Sequence, residues 1–129
     1  MVSSDRPTDA ELEILNVLWS RGPSTVRDVY EEINRARAAQ YTTILKLMQI
    51  MATKGLVIRD EQARAHVYRA TLPREWTQRQ LAGDLMRRAF GDSARSLLMG
   101  ALSARKASRE ELDEIRRLLD AYEHEKESK

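Results

Sequence analysis

Apolar residues recur at three- and four-residue steps through the first third of the chain. Leu12, Leu15, Leu18 and Trp19 follow Thr8-Asp9-Ala10-Glu11, an S/T-x-x-E capping box in which hydroxyl and carboxylate satisfy each other's backbone amides. Gly22-Pro23 ends this first helix. Ser24 or Thr25 then offers an oxygen to start a second, with Val26, Val29, Tyr30 and Ile33 on one face and Arg27, Asp28, Glu31 and Glu32 on the other. A polar, alanine-rich link over residues 34–40 leads to a third helix, from about residue 42 to 54, with Ile44, Leu47, Met48 and Met51 on one side. Gly55 is its stop, because glycine takes positive φ without steric penalty.

The period then changes. Leu56-Val57-Ile58-Arg59 and His66-Val67-Tyr68-Arg69 are β-prone runs separated by polar residues 60–64, the pattern of a hairpin. From Arg74 the helical period returns in three segments, 74–90, 92 to about 104, and 108 to about 125. The last opens on a second capping box, Ser108-Arg109-Glu110-Glu111. The predicted fold class is mostly α with a small β-hairpin: a winged helix-turn-helix head over residues 1–73 and a three-helix C-terminal dimerisation domain over residues 74–129. Dimerisation is expected because the late helices carry narrow apolar faces: Trp76, Leu81, Leu85, Met86 and Phe90; then Leu97, Leu98 and Leu102; then Leu112, Ile115, Leu119 and Tyr122. Such faces bury little alone, and pairing with a second copy along the last two stripes is the economical solution.

Composition narrows the function. At 129 residues, 42% apolar and 33% charged with few aromatics, the chain suits a small helical protein. No run approaches the roughly 18 apolar residues of a membrane span, and residues 1–7 have no apolar leader, so a cytoplasmic protein without membrane insertion is expected. The absence of cysteine removes disulfides, thiol nucleophiles and thiolate metal sites. With His66 and His124 as its only histidines, no Gly-rich phosphate loop and no His-Glu-x-x-His, the chain is expected to be no enzyme and to hold no cofactor or metal.

Net charge is +2, from 22 basic and 20 acidic side chains, so bulk charge does not indicate a polyanionic partner. Placement does. No acidic residue lies between Ala36 and Arg59, although a third of the chain is charged. Thr42, Thr43, Lys46, Gln49 and Thr53 fall off the apolar stripe of the third helix, with Tyr41 at its entrance. A surface apposed to phosphates excludes carboxylates. In a winged helix the third helix enters the major groove and the hairpin reaches the neighbouring backbone. Lys46 then suits guanine or phosphate, Gln49 an adenine edge, and the threonines either bases or phosphates. Arg64 near the hairpin tip is the wing contact, with His66 beside it. Thr42 and Thr43 have a second use as caps of the third helix. Met48 and Met51 read as core, and Arg87-Arg88 and Arg116-Arg117 as solvated faces. A rival reading of the same layout is a winged-helix protein–protein interaction module within a larger assembly.

Several motifs occur in a specific order: Thr8-Asp9-Ala10-Glu11-Leu12-Glu13-Ile14-Leu15, Leu18-Trp19, Thr25-Val26 with Val29, Tyr41-Thr42-Thr43-Ile44, Lys54-Gly55-Leu56-Val57, then Arg64 and Tyr68. In these the chain resembles the penicillinase-repressor (BlaI/MecI) family of winged-helix transcriptional regulators, over about residues 8–122. The resemblance implies a homodimeric repressor, each subunit occupying one half of a palindromic double-stranded DNA operator. It places Thr42, Thr43 and Lys46 toward the groove and Tyr41 and Arg64 toward the backbone. Members are often encoded beside a membrane-bound zinc-peptidase sensor that acts on the repressor indirectly, and induction can proceed by proteolysis within the dimerisation segment. Two departures stand out. Ile50 replaces an arginine common in relatives, and Met99-Gly100-Ala101-Leu102 does not reproduce their Asn-Phe cleavage junction, so no scissile bond is carried over. Without cysteine, the metal motif of a copper-responsive branch is absent.

Overall fold

A computed structural model describes residues 6–62 and 64–127. Along them run α1 (Asp9–Arg21), α2 (Val26–Ala36), α3 (Tyr41–Lys54), β1 (Val57–Asp60), β2 (Val67–Ala70), α4 (Arg74–Ala89), α5 (Ala94–Ala104) and α6 (Arg109–Glu127). The chain divides into two compact units, the first ending at Gln80 and the second beginning at Leu81.

In the first unit the helices start where side chains replace missing backbone partners. Thr8 Oγ1 accepts from the Glu11 amide at 3.2 Å while Glu11 Oε1 accepts from the Thr8 amide at 2.9 Å. Thr25 and Asp28 repeat the device, with both bonds at 3.1 Å, so Thr25 rather than Ser24 caps α2. Ser24 has another task. Its amide donates to the Tyr68 carbonyl at 2.9 Å and its carbonyl accepts from the Tyr68 amide at 2.7 Å, which adds the α1–α2 link to the edge of the hairpin. The buried Ser24 hydroxyl donates to the Gly22 carbonyl at 2.8 Å.

Two boundaries differ from the sequence expectation for local reasons. The strands begin one residue later than the β-prone runs, pairing Val57 with Ala70 and Asp60 with Val67. Leu56 is shared: its carbonyl accepts from the Thr71 amide across the hairpin at 3.0 Å, but its amide donates to the Met51 carbonyl at 2.9 Å instead of extending the strand. That bond belongs to the end of α3, where Gly55 turns the chain at φ 85°, in the left-handed region. Likewise α2 continues to Ala36, leaving only residues 37–40 as the link to α3.

The three helices pack on one another, and the hairpin packs against α1 and α3. Ile14, Leu15, Leu18, Val26, Val29, Ile33, Ile44, Met48, Met51, Val57 and Tyr68 form the core, with Leu12, Trp19, Tyr30 and Leu47 at its margin. This is the winged helix-turn-helix arrangement. Two ion pairs lock it. Glu11, 2% exposed, receives Lys54 Nζ on both oxygens at 2.9 and 3.0 Å, tying the first turn of α1 to the last residue of α3. Glu13 receives the Arg37 guanidinium at 2.9 and 2.6 Å, tying α1 to the end of α2. At the exit of the hairpin, Trp19 Nε1 donates to the Leu72 carbonyl at 2.9 Å, and Arg74 bonds Ser20 Oγ at 2.9 Å while lying over the Trp19 ring.

In the second unit, Gly91 and Asp92 both take φ 58° and separate α4 from α5, which starts on a Ser93 cap accepting from the Ser96 amide at 3.1 Å. The Phe90 ring lies against Gly100, where an added Cβ would sit 3.0 Å from it. Ser108 Oγ accepts from the Glu111 amide at 3.0 Å at the start of α6. None of the described residues after Gln80 is buried. No helix among the described residues is long and apolar enough to cross a membrane.

Burial pushes the Glu11 carboxyl up, but the Thr8 amide and the Lys54 ammonium more than offset it and leave the pKa below the ordinary 4.5. The Arg37 fork lowers Glu13, and the Thr25 amide lowers Asp28 below 3.8. Carboxylates depressed by folding contribute stability above their unfolded pKa values and lose it as pH falls through the folded ones. Urea unfolding of the wild-type chain should therefore show stability level near neutrality and falling below the ordinary values of 4.5 and 3.8. Lys54→Met should cost about 2–4 kcal/mol at pH 7 by stranding a buried carboxylate, and should shallow the acid limb. An acid limb identical to wild type would show that Lys54 does not lower Glu11. Gly55→Ala, at a position with open space around it, should cost about 1 kcal/mol from backbone strain alone.

Candidate nucleic-acid interface

α3 has two unlike sides. Ile44, Met48 and Met51 point inward and are essentially inaccessible. Thr42, Lys46, Gln49 and Thr53 follow at steps of four, three and four, which places them on one line of the opposite side, with Thr43 and Ile50 beside it. All six are exposed. Among the described residues, no hydrogen bond or ion pair of the protein engages the side chains of Thr42, Thr43, Lys46 or Gln49. Thr53 Oγ1 turns back to the Gln49 carbonyl at 3.2 Å. The far end of the helix is anchored by Lys54 on Glu11 and by the Gly55 turn.

The near end is built differently. Gln40 is the N-cap residue of α3 and makes no side-chain capping bond. The threonine hydroxyls of the first turn are therefore not used as caps, and the leading amides of α3 keep their hydrogen-bonding capacity. That turn has no acidic residue, so the positive end of the helix dipole is not neutralised within it. Tyr41 is wedged in place. Its ring meets Tyr30 edge-on at 5.7 Å, and the Arg27 guanidinium lies 5.3 Å over its centre. Arg27 is two-thirds exposed, with Glu31 at 3.9 Å as a loose partner. The short link feeding this end is fixed by Asn34 Oδ1, which accepts from the Ala39 amide at 3.0 Å.

Arg27 is the residue that sequence reasoning missed. It read as one charge on the solvated face of the second helix. Only the tight 37–40 link brings that face against Tyr41, and the one available signal was Arg27 and Tyr30 at helical spacing before a short connection.

On the hairpin, Arg64 and His66 are exposed in the connection between the strands. Arg59 is committed elsewhere, to Tyr68 across the ladder and to Glu61 at 2.8 Å, and is raised by both. α3 thus gathers Tyr41, Thr42, Thr43, Lys46 and Gln49 on one rigid element, while Arg64 stands on a separate one.

None of the residues of the expected dimer seam is buried. Leu97, Leu112 and Ile115 are half-buried; Leu98, Leu102, Leu119 and Tyr122 are exposed, the last two at 51% and 62%. α5 and α6 bury none of their residues, and Leu118 and Met99 add exposed apolar area.

The sequence profile of the penicillinase repressor family matches residues 7–121. Transcriptional regulator BlaI of Mycobacterium tuberculosis is 32% identical over 124 residues, which are 95% of this chain and 89% of that protein. The penicillinase repressor of Bacillus licheniformis is 21% identical over 119 residues, 92% of this chain and 93% of that one. A solved structure titled as the solution structure of the DNA binding domain of the repressor BlaI matches with a TM-score of 0.49 at 23% identity, covering 54% of this chain and 85% of that chain.

Proposed function

This chain belongs to the penicillinase-repressor family, and from that premise we propose that it is a transcriptional repressor that binds double-stranded DNA as a homodimer, one subunit on each half of a palindromic operator. The observation that carries the reading is the outward side of α3, where Thr42, Thr43, Lys46 and Gln49 form an exposed run of donors and hydroxyls without a carboxylate and, among the described residues, without a side-chain partner. Such a side suits the major groove, with Lys46 on guanine or phosphate, Gln49 on an adenine edge, and Thr42 and Thr43 on bases or phosphates. Tyr41 and Arg64 serve the backbone. Arg27 joins them, because a guanidinium stacked on Tyr41 at the open end of α3 is pre-positioned for a phosphate that the leading amides also attract.

The homodimer is supported by the stripe Leu97, Leu98, Leu102, Leu112, Ile115, Leu119 and Tyr122, half-buried or exposed on helices with no buried residue among those described. A second copy offers the same stripe, and a two-fold axis relating two heads calls for two inverted half-sites.

Duplexes recovered from a random pool provide the test. The logarithm of the affinity should fall linearly with log salt, with a slope of about 0.9 per neutralised phosphate; recovery of no duplex at all would favour the protein-contact module instead. Lys46→Glu should abolish binding while leaving the thermal transition in place, and Thr42→Val and Thr43→Val should weaken it without loss of stability. Arg27→Ala and Arg64→Ala should each weaken binding several-fold on every sequence and reduce the salt slope by about 1. Leu119→Asp should convert a sedimenting dimer to monomer and thereby lower operator affinity; a dimer that persists would remove α6 from the seam.

A further inference from the structure

We propose that Ile50 is a specificity-determining residue that packs on the 5-methyl group of one thymine in the major groove of each half-site, an inference that rests on the DNA-binding reading above. Ile50 is 40% exposed, and it belongs neither to the core of the head nor to the apolar residues packed against that core. Its neighbours Leu45, Leu47 and Ala52 are all packed there. The spacing explains the difference. Ile50 follows Thr43 by seven residues and Lys46 by four and precedes Thr53 by three, so it stands on the outward side among residues that are otherwise polar.

Tyr41 is the other large apolar residue exposed on α3, and it is engaged by Tyr30 and Arg27. Ile50 meets no aromatic ring among the described residues. A branched aliphatic chain offers no donor or acceptor, so it cannot hold a phosphate or read a polar base edge. On the major-groove edges of the base pairs the one apolar group is the thymine methyl. The β-branch also holds the side chain in one dominant rotamer on a helix, so little freedom is lost when the contact forms. An isolated side chain of this kind is too small for a protein-docking patch. Lys46, one turn before it, and Thr53, three residues after it, flank it on the outward side of α3.

The experiment starts from the duplex that wild-type protein selects from a random pool. Each thymine is replaced singly by deoxyuridine, which removes the methyl and nothing else, and binding of wild type and Ile50→Ala is compared. We expect one position in each half-site where the replacement weakens wild type about three- to tenfold and leaves Ile50→Ala unaffected. Ile50→Ala should keep the wild-type thermal transition, since the side chain is outside the core. Suppose that the unmodified duplex binds well but no thymine shows the effect, or that Ile50→Ala retains it in full: the thymine contact is then overturned and the repressor reading stands. If no duplex is selected, the repressor reading fails and this inference with it.

Discussion

A single buried carboxylate holds the head in register. Glu11 closes the capping box of α1 and at the same time neutralises Lys54, the last residue of α3, so the start of one helix is fastened to the end of another. Since Glu11 is almost wholly out of solvent, leaving either bond unmade would strand a charge in low dielectric. The orientation of α3 therefore depends on a local capping rule and a long-range ion pair that share one side chain. The Glu13–Arg37 fork repeats the logic between α1 and α2 nearer the surface.

The consequence for α3 is a division of labour between its sides. What fixes the helix lies inward or at its two ends: Ile44, Met48 and Met51 in the core, Tyr41 against Tyr30 and Arg27, Lys54 on Glu11, Gly55 in the left-handed turn. The outward side is left without structural duties, so its chemistry can be set by a partner alone. On the proposed reading, substitutions at Lys46, Gln49 or Ile50 change what the helix binds without disturbing the frame.

Much of this was legible in the residues, where short-range physics decides. The Thr8 and Thr25 caps, the apolar stripes, Gly55 and the hairpin all follow from interactions within a few positions. The misreadings have tertiary causes. Ser24 looked like a helix cap, but its backbone is claimed by Tyr68, forty-four residues on. Leu56 looked like a strand residue, but α3 takes its amide. The placement of Arg27 over Tyr41 depends on how α2 and α3 meet, which no periodicity encodes. In the C-terminal helices the apolar stripes were readable, because they follow from helical spacing alone.

The bridge between Ser24 and Tyr68 bears on how the hairpin behaves as an instrument. Both backbone groups of Ser24 are engaged by Tyr68, so the two-stranded hairpin is braced at its root by a bridge from the α1–α2 link rather than left as a swinging arm. Beyond Asp60 and Val67 the backbone leaves the ladder. Rigidity at the root fixes the distance from α3 at which the hairpin leaves the head, like the fixed jaw of a caliper. On the proposed reading, the span between α3 and the hairpin is thus set by the head and not by the duplex.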